Sequence, residues 1–128
     1  VLYFVDPNKG VEVLYKNRKV HLTDPFLYHI FSLWCLTKKP EESIIVESTV
    51  ASHLARKFNI GYWKNKKEID IIIFGKELFG VEIKYKEKGE FAKTRVGKMR
   101  SVITLTKNEF NEKPLAIPVN VFLSCLEC

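Results

Sequence analysis

Asp70, Glu82 and Lys84 carry the first chemistry this chain offers, in the stretch EIDIIIFGKELFGVEIKYK, residues 68–86. The stretch reads as two apolar strands whose turn lies within Gly75–Phe79. Side chains alternate along a strand. Glu68, Asp70, Ile72 and Phe74 would then share one face of the first strand, and Gly80, Glu82, Lys84 and Lys86 one face of the second. Ile69, Ile71 and Ile73, with Val81, Ile83 and Tyr85, make the opposite face apolar and therefore core. The register stays open. One pairing sets Asp70 opposite Lys84; a shift of two residues sets it opposite Glu82. In either, Asp70 is a direct or diagonal neighbour of both.

Two carboxylates this close repel, and one tends to stay protonated. A divalent cation removes the conflict. Hard ions such as Mg²⁺ take oxygen ligands, commonly one or two carboxylates with water and substrate phosphate. An ion held by Asp70 and Glu82 would lower the pKa of bound water and neutralise charge at a phosphodiester. Lys84 would orient that water or stabilise developing negative charge. The alternative is structural: Asp70 pairs with Lys84, Glu68 pairs with Lys86, and no chemistry follows. In a chain this rich in Glu and Lys, ExK alone separates the two poorly.

The surrounding elements are legible. VLYFVDPNKGVEVLY reads as a hairpin around the turn residues Asp6–Gly10. TDPFLYHIFSLWCLTKK reads as a helix capped by Thr23 or Asp24, with Pro25 in its first turn and Lys38 and Lys39 at its end. Its buried stripe would be Leu27, Ile30, Phe31 and Trp34. A second helix spans EESIIVESTVASHLARKF, with Val50, Ala51, Leu54 and Phe58 as its stripe. Glu47 precedes these by three, four, seven and eleven positions and so sits at the edge of the core. A buried carboxylate needs a partner, and periodicity alone favours a Glu that reaches solvent. IGYWKN, then the hairpin above, then SVITLTK and LAI supply further strands, EKGEFAKTRVGK a loop and short helix, and Pro118 opens a C-terminal helix. The order makes a mixed α/β or α+β domain, one sheet flanked by helices.

The chain has 128 residues, enough for one domain with a core, and it opens on Val rather than Met, as a piece of a longer protein would. Hydrophobic residues at 46% and charged ones at 28% are ordinary for a globular fold. No run approaches a membrane span and no signal pattern opens the chain, so the expected compartment is the cytoplasm, with no membrane partner. The net charge of +6 favours anionic partners, nucleic acid above all, although Lys- and Glu-rich chains also serve thermostability. Between Lys84 and Arg100 lie seven basic residues against two acidic ones, with Tyr85 and Phe91 interleaved. A nucleic-acid face and a solvated face are both open there. Cys35, Cys125 and Cys128 are an odd count without a disulfide framework. The CxxC of Cys125 and Cys128 has neither a second pair nor a nearby His to complete a zinc site. His21, His29 and His53 share no ligand spacing, and Tyr62 and Trp63 read as strand packing residues.

Taken together, VESTVASHLAR, YWKNKKEIDIII and VEIKYK resemble the PD-(D/E)XK nuclease superfamily. They are most similar to the C-terminal domain of archaeal and bacterial AAA+-type ATPases, in the DUF234 and DUF4143 groups of unknown function. That pattern has a helical Glu, a YW(R/K) strand, an E(V/I)D strand and an (I/V)E(V/I)K strand. The matching residues are Glu47, Tyr62-Trp63-Lys64, Glu68-Ile69-Asp70 and Val81-Glu82-Ile83-Lys84. HLTDPFLYHIF and IPVNVFL resemble the flanking segments, so the likeness covers roughly Val20 to Leu126, with residues 1–22 an N-terminal hairpin extension.

The resemblance implies a restriction-endonuclease-like core. Asp70, Glu82 and the Ile83 carbonyl would ligate Mg²⁺ or Mn²⁺, Lys84 would be the catalytic lysine, and Glu47 would support the site from its helix. The motif's Pro is replaced by Ile69. No Walker A sequence is present, so the ATP site would belong to an upstream ATPase domain. Two functions follow as expectations. One is a metal-dependent DNA nuclease whose Lys86, Lys93, Arg95, Lys98 and Arg100 contact the phosphate backbone. The other is a catalytically inactive nucleic-acid or protein docking module of the same fold.

Overall fold

The computed structural model describes residues 1–65, 67–85, 99–112 and 115–126, and for Met99 and Arg100 the backbone alone. Ten elements follow in order: β1 (Tyr3–Asp6), β2 (Val11–Val13), α1 (Pro25–Trp34), α2 (Glu42–Ala55), β3 (Asn59–Lys64), β4 (Glu68–Phe74), β5 (Leu78–Lys84), β6 (Met99–Thr106), β7 (Ala116–Pro118) and α3 (Val119–Leu126). The expected mixed α/β architecture is present. The strands form one seven-stranded sheet in the order β2-β1-β3-β4-β5-β6-β7. Pairing is antiparallel for β1–β2, β3–β4 and β4–β5, and parallel for β1–β3, β5–β6 and β6–β7. The N-terminal hairpin is thus joined to the sheet through the parallel β1–β3 ladder, while the loop and short helix expected over 87–98 lie outside the described residues.

Local chemistry explains several boundaries. Asp6 Oδ1 accepts the Asn8 amide at 2.9 Å, and Gly10 at φ 69° closes the first hairpin turn where a side chain would be strained. Asp24 caps α1 by accepting the Phe26 amide at 2.8 Å, with Pro25 at the first helical position. The helix ends earlier than Lys38–Lys39 would place it. Leu36 adopts φ 53°, and the Thr37 amide reaches back to the Ser32 carbonyl at 3.0 Å, which closes the last turn.

The core lies mainly on one side of the sheet. Val50, Ala51 and Leu54 of α2 and Val119 of α3 bury Ile71, Val81, Ile83 and Leu105. Val5, Ile69, Ile72 and Leu78 form a smaller cluster on the opposite face. Two expected stripes are only partly used. Phe58 falls beyond the end of α2 and is exposed. In α1 no residue is buried, and Phe31 and Trp34 are 47% and 81% exposed. The helical period is present, but the helix lies against the edge of α2 rather than on the sheet.

The isoleucine run corrects a second expectation. Gly61 pairs with Ile72, yet Trp63 pairs with Ile69, so two steps along β3 face three along β4. β4 therefore carries one extra residue, a β-bulge at Asp70–Ile71. Alternation breaks there. Ile71 and Ile73 pack under α2, while Ile69 joins Ile72 in the opposite cluster. The uniform face of Ile69, Ile71 and Ile73 is not formed.

Gly61 lies opposite Tyr3 in the parallel β1–β3 ladder. An added Cβ would overlap Val5 Cγ2 and stand 2.9 Å from the Tyr3 carbonyl oxygen. Gly61→Ala is expected to lower stability by about 1–3 kcal/mol, the usual penalty of overpacking. Urea denaturation reads this directly, and an unchanged midpoint would contradict the close approach.

Candidate metal centre

The β4–β5 ladder runs from Phe74–Leu78 to Ile71–Val81 and stops. One further step in the same register sets Asp70 beside Glu82, the second of the two pairings left open by the sequence. The Ile83 amide then has no ladder partner on β4. Asp70 Oδ2 accepts it at 2.8 Å. In an extended strand the N–H and C=O of one residue point to the same lateral side. The Ile83 carbonyl therefore faces the same opening as its amide.

The bulge decides which side Asp70 serves. Its Oδ1 lies 3.7 Å from Lys19 Nζ, which also pairs with Glu47 of α2 and, at 2.7 Å, with Glu68. Glu82 belongs to the other side by alternation, since Val81 and Ile83 both pack under α2. The expectation that Asp70, Glu82 and Lys84 share one face is thus corrected. Asp70 is turned toward α2 and Glu82 away from it, although the Asp70 charge still acts on Glu82. Of the structural alternative, Asp70 faces Lys19 of the N-terminal segment rather than Lys84; Lys86, the expected partner of Glu68, lies outside the described residues, and Glu68 meets Lys19.

Glu82 is 4% exposed, and Lys84, two residues on, is exposed. Burial pushes the Glu82 carboxyl above its ordinary range; Lys84 opposes this and Asp70 adds to it. Burial likewise pushes Asp70 up, from 3.8 to about 6, and Glu47 reinforces the shift against the Ile83 amide and Lys19. For Lys19, burial works against the charge, but its hydrogen bonds to Glu47 and Glu68 and the field of Glu47 and Asp70 outweigh it, and its pKa is raised.

Sequence reasoning missed Lys19, His21 and Thr104. Lys19 is fixed by backbone hydrogen bonds of 2.7 and 2.9 Å with Leu2, and its ammonium stands 5.9 Å from the centre of the Tyr62 ring. His21 shares a 2.8 Å hydrogen bond between Nδ1 and the Ser48 hydroxyl, which in turn meets the Tyr28 hydroxyl at 2.6 Å. Burial and the Lys19 charge hold His21 down to about 4, so it faces Glu47 uncharged, with Nε2 at 3.5 Å from Oε1. The i, i+2 spacing of Lys19 and His21 was the available signal: in extended chain both point one way. Thr104 lies at the register position of Glu82 on β6, wholly buried, with a hydroxyl that has no hydrogen-bond partner among the described residues.

Among the described residues, no group of three or more His, Cys, Asp and Glu side chains is arranged to hold a metal ion. Hard oxygen donors are present but do not converge: Asp70 Oδ1 lies toward Lys19, Glu82 is a buried carboxylate on the other side of the sheet, and among the described residues Glu47, Glu68 and Asp70 share the Lys19 ammonium. Lys86, Lys93, Arg95 and Lys98, and the Arg100 side chain, lie outside the described residues. No helix is long and apolar enough to cross a membrane among the described residues.

Because the folded Asp70 binds its proton more tightly than the unfolded chain does, its contribution to stability is complete below the ordinary 3.8 and is lost as pH rises through about 6. Asp70→Asn keeps an acceptor for the Ile83 amide without the charge. It is expected to exceed the wild type by about 1–3 kcal/mol at pH 7, with the difference closing toward pH 4. Urea denaturation at both pH values tests this, and a difference independent of pH would refute it. No protein-family model, curated protein or solved structure matches the chain.

Proposed function

We propose that the chain is a PD-(D/E)XK-like domain that hydrolyses DNA phosphodiester bonds with Mg²⁺ or Mn²⁺. One observation carries the reading: Asp70 reaches across the end of the β4–β5 ladder to the backbone of Ile83, inside the Glu82-Ile83-Lys84 run. Asp70, Glu82 and the Ile83 carbonyl would hold the ion, whose chemistry is to acidify water and neutralise phosphate charge. Lys84, exposed beside Glu82, presents its ammonium to the attacking water or to the phosphate oxygens. Glu47 supports the site from α2. The basic residues between Lys86 and Arg100 supply sequence-independent backbone contacts. The resemblance adds an upstream ATPase domain as the partner.

Cleavage of labelled single- and double-stranded DNA with either ion tests the proposal. Asp70→Ala, Glu82→Ala and Lys84→Ala are each expected to reduce the rate on the order of 10²-fold or more. A wild type that cuts DNA and RNA no faster than Lys84→Ala would sink it.

The contact of Lys19 with three acids favours a second reading, in which the acids are scaffold and the domain docks nucleic acid without cutting it. DNA binding would then fall with salt, survive Asp70→Ala and disappear when Lys93, Arg95, Lys98 and Arg100 are neutralised. Binding that is unchanged by that neutralisation excludes the docking role.

A further inference from the structure

Two short turns repeat one basic pattern. Residues 16–19 read KNRK and residues 64–67 read KNKK. The first follows β2, where the Lys16 amide donates to the Val13 carbonyl at 3.3 Å. The second joins β3 to β4, where the Asn65 amide donates to the Lys67 carbonyl at 2.8 Å. The Tyr62 hydroxyl donates to the Asn17 carbonyl and ties the first turn to β3, two residues before Lys64.

Lys16, Arg18, Lys64 and Lys67 are exposed, and none makes an ion pair among the described residues. The acids of these elements are engaged elsewhere. Asp6 caps its own turn through the Asn8 and Lys9 amides, and Glu47 and Glu68 hold Lys19. Glu12 pairs in register with Val5, whose side chain lies on the sheet face away from α2. Lys67 lends part of its field to Glu82. Aromatic rings hold the first two cations: Lys16 Nζ stands 5.6 Å from the centre of the Phe4 ring and 6.0 Å from that of Tyr15, and the Arg18 guanidinium 5.1 Å from that of Tyr3. A ring positions a cation without neutralising it, so charge and N–H donors stay available. Phe4 is itself fixed edge-on against Tyr62 at 5.8 Å. Tyr15 is 87% exposed.

Unpaired cations beside an exposed ring match one kind of partner best. A single strand offers phosphates to the cations and an open base face to the ring. A duplex hides its base faces in the stack, and an acidic peptide offers charge without a base to stack. We propose that Tyr15, Lys16 and Arg18, with Lys64 and Lys67 of the β3–β4 turn, form a binding face for single-stranded nucleic acid, with phosphates on the cations and a base on Tyr15. The face is separate from the basic run between Lys86 and Arg100, and it needs neither a metal ion nor cleavage.

Fluorescence anisotropy with labelled oligothymidylate tests the inference, in EDTA so that nothing is cut. The plot of log Kd against log salt is expected to lose about 3 units of slope in Lys16→Gln/Arg18→Gln/Lys64→Gln/Lys67→Gln, at about 0.7 per phosphate contact on a single strand. Tyr15→Ala is expected to weaken binding about tenfold at unchanged slope. These side chains are all exposed, so the variants keep the fold. An unchanged slope in the fourfold variant overturns the inference. So does an equal loss of slope in Lys38→Gln/Lys39→Gln/Arg56→Gln/Lys76→Gln, at exposed positions elsewhere. Tighter binding of duplex than of single strand, or full binding by Tyr15→Ala, removes the single-strand partner. Displacement of the oligonucleotide by polyglutamate as readily as by unlabelled oligothymidylate assigns the face to an acidic protein instead. No binding by the wild type also overturns the inference, and the cleavage assay still decides the cutting reading on its own.

Discussion

The bond from the Ile83 amide to Asp70 Oδ2 is the interaction on which the site depends. It stands where the β4–β5 ladder ends and a backbone donor would otherwise be left without a partner. A side chain substitutes for the missing rung. The ladder can then end without an unsatisfied amide at Ile83. The bulge is the other half of this geometry. One extra residue in β4 turns Asp70 toward α2 and leaves Glu82 in phase with the opposite face.

Electrostatics then constrain the rest. Burying carboxylates is expensive unless they are paired. Among the described residues the pairing is incomplete: Glu47, Glu68 and Asp70 share one ammonium, and Glu82 is offset by exposed Lys84 and by Lys67. The raised Asp70 and Glu82 carboxyls record that shortfall. A structural ion-pair network would be expected to lower carboxylate pKa values, and this one does the reverse at the two positions nearest the strand opening. Perturbations of that kind concentrate at functional sites.

The N-terminal segment belongs to this balance. Leu2 and Lys19 are bonded to each other, β1 pairs with β3, and His21 is tied to α2 through Ser48. Adjacent residues of one helical turn, Glu47 and Ser48, therefore face the same incoming segment, one taking its charge and the other its imidazole. The segment that carries the counter-charge is built into the sheet and helix that carry the acids.

Much of this was legible in local chemistry. The turn at Asp6–Gly10, the Asp24–Pro25 cap, the strands of the isoleucine hairpin and the Glu47 position on its helix follow from turn residues, capping groups and period, all short-range properties of the chain. Asp70, Glu82 and Lys84 stood out among the isoleucines of that hairpin by the same alternation. What sequence left undecided was long-range. Alternation predicts a shared face for Asp70 and Glu82, but a bulge is set by how β3 fits against β4, and no residue type announces it. Phe31 and Trp34 have the spacing of a buried stripe, but burial needs a surface to receive them, and α1 packs against the edge of α2 and not on the sheet. Lys19 looks like any other lysine of a basic chain. Only the tertiary fold brings its anchored segment to three carboxylates, because their mutual repulsion is felt only once β4 and α2 are packed together.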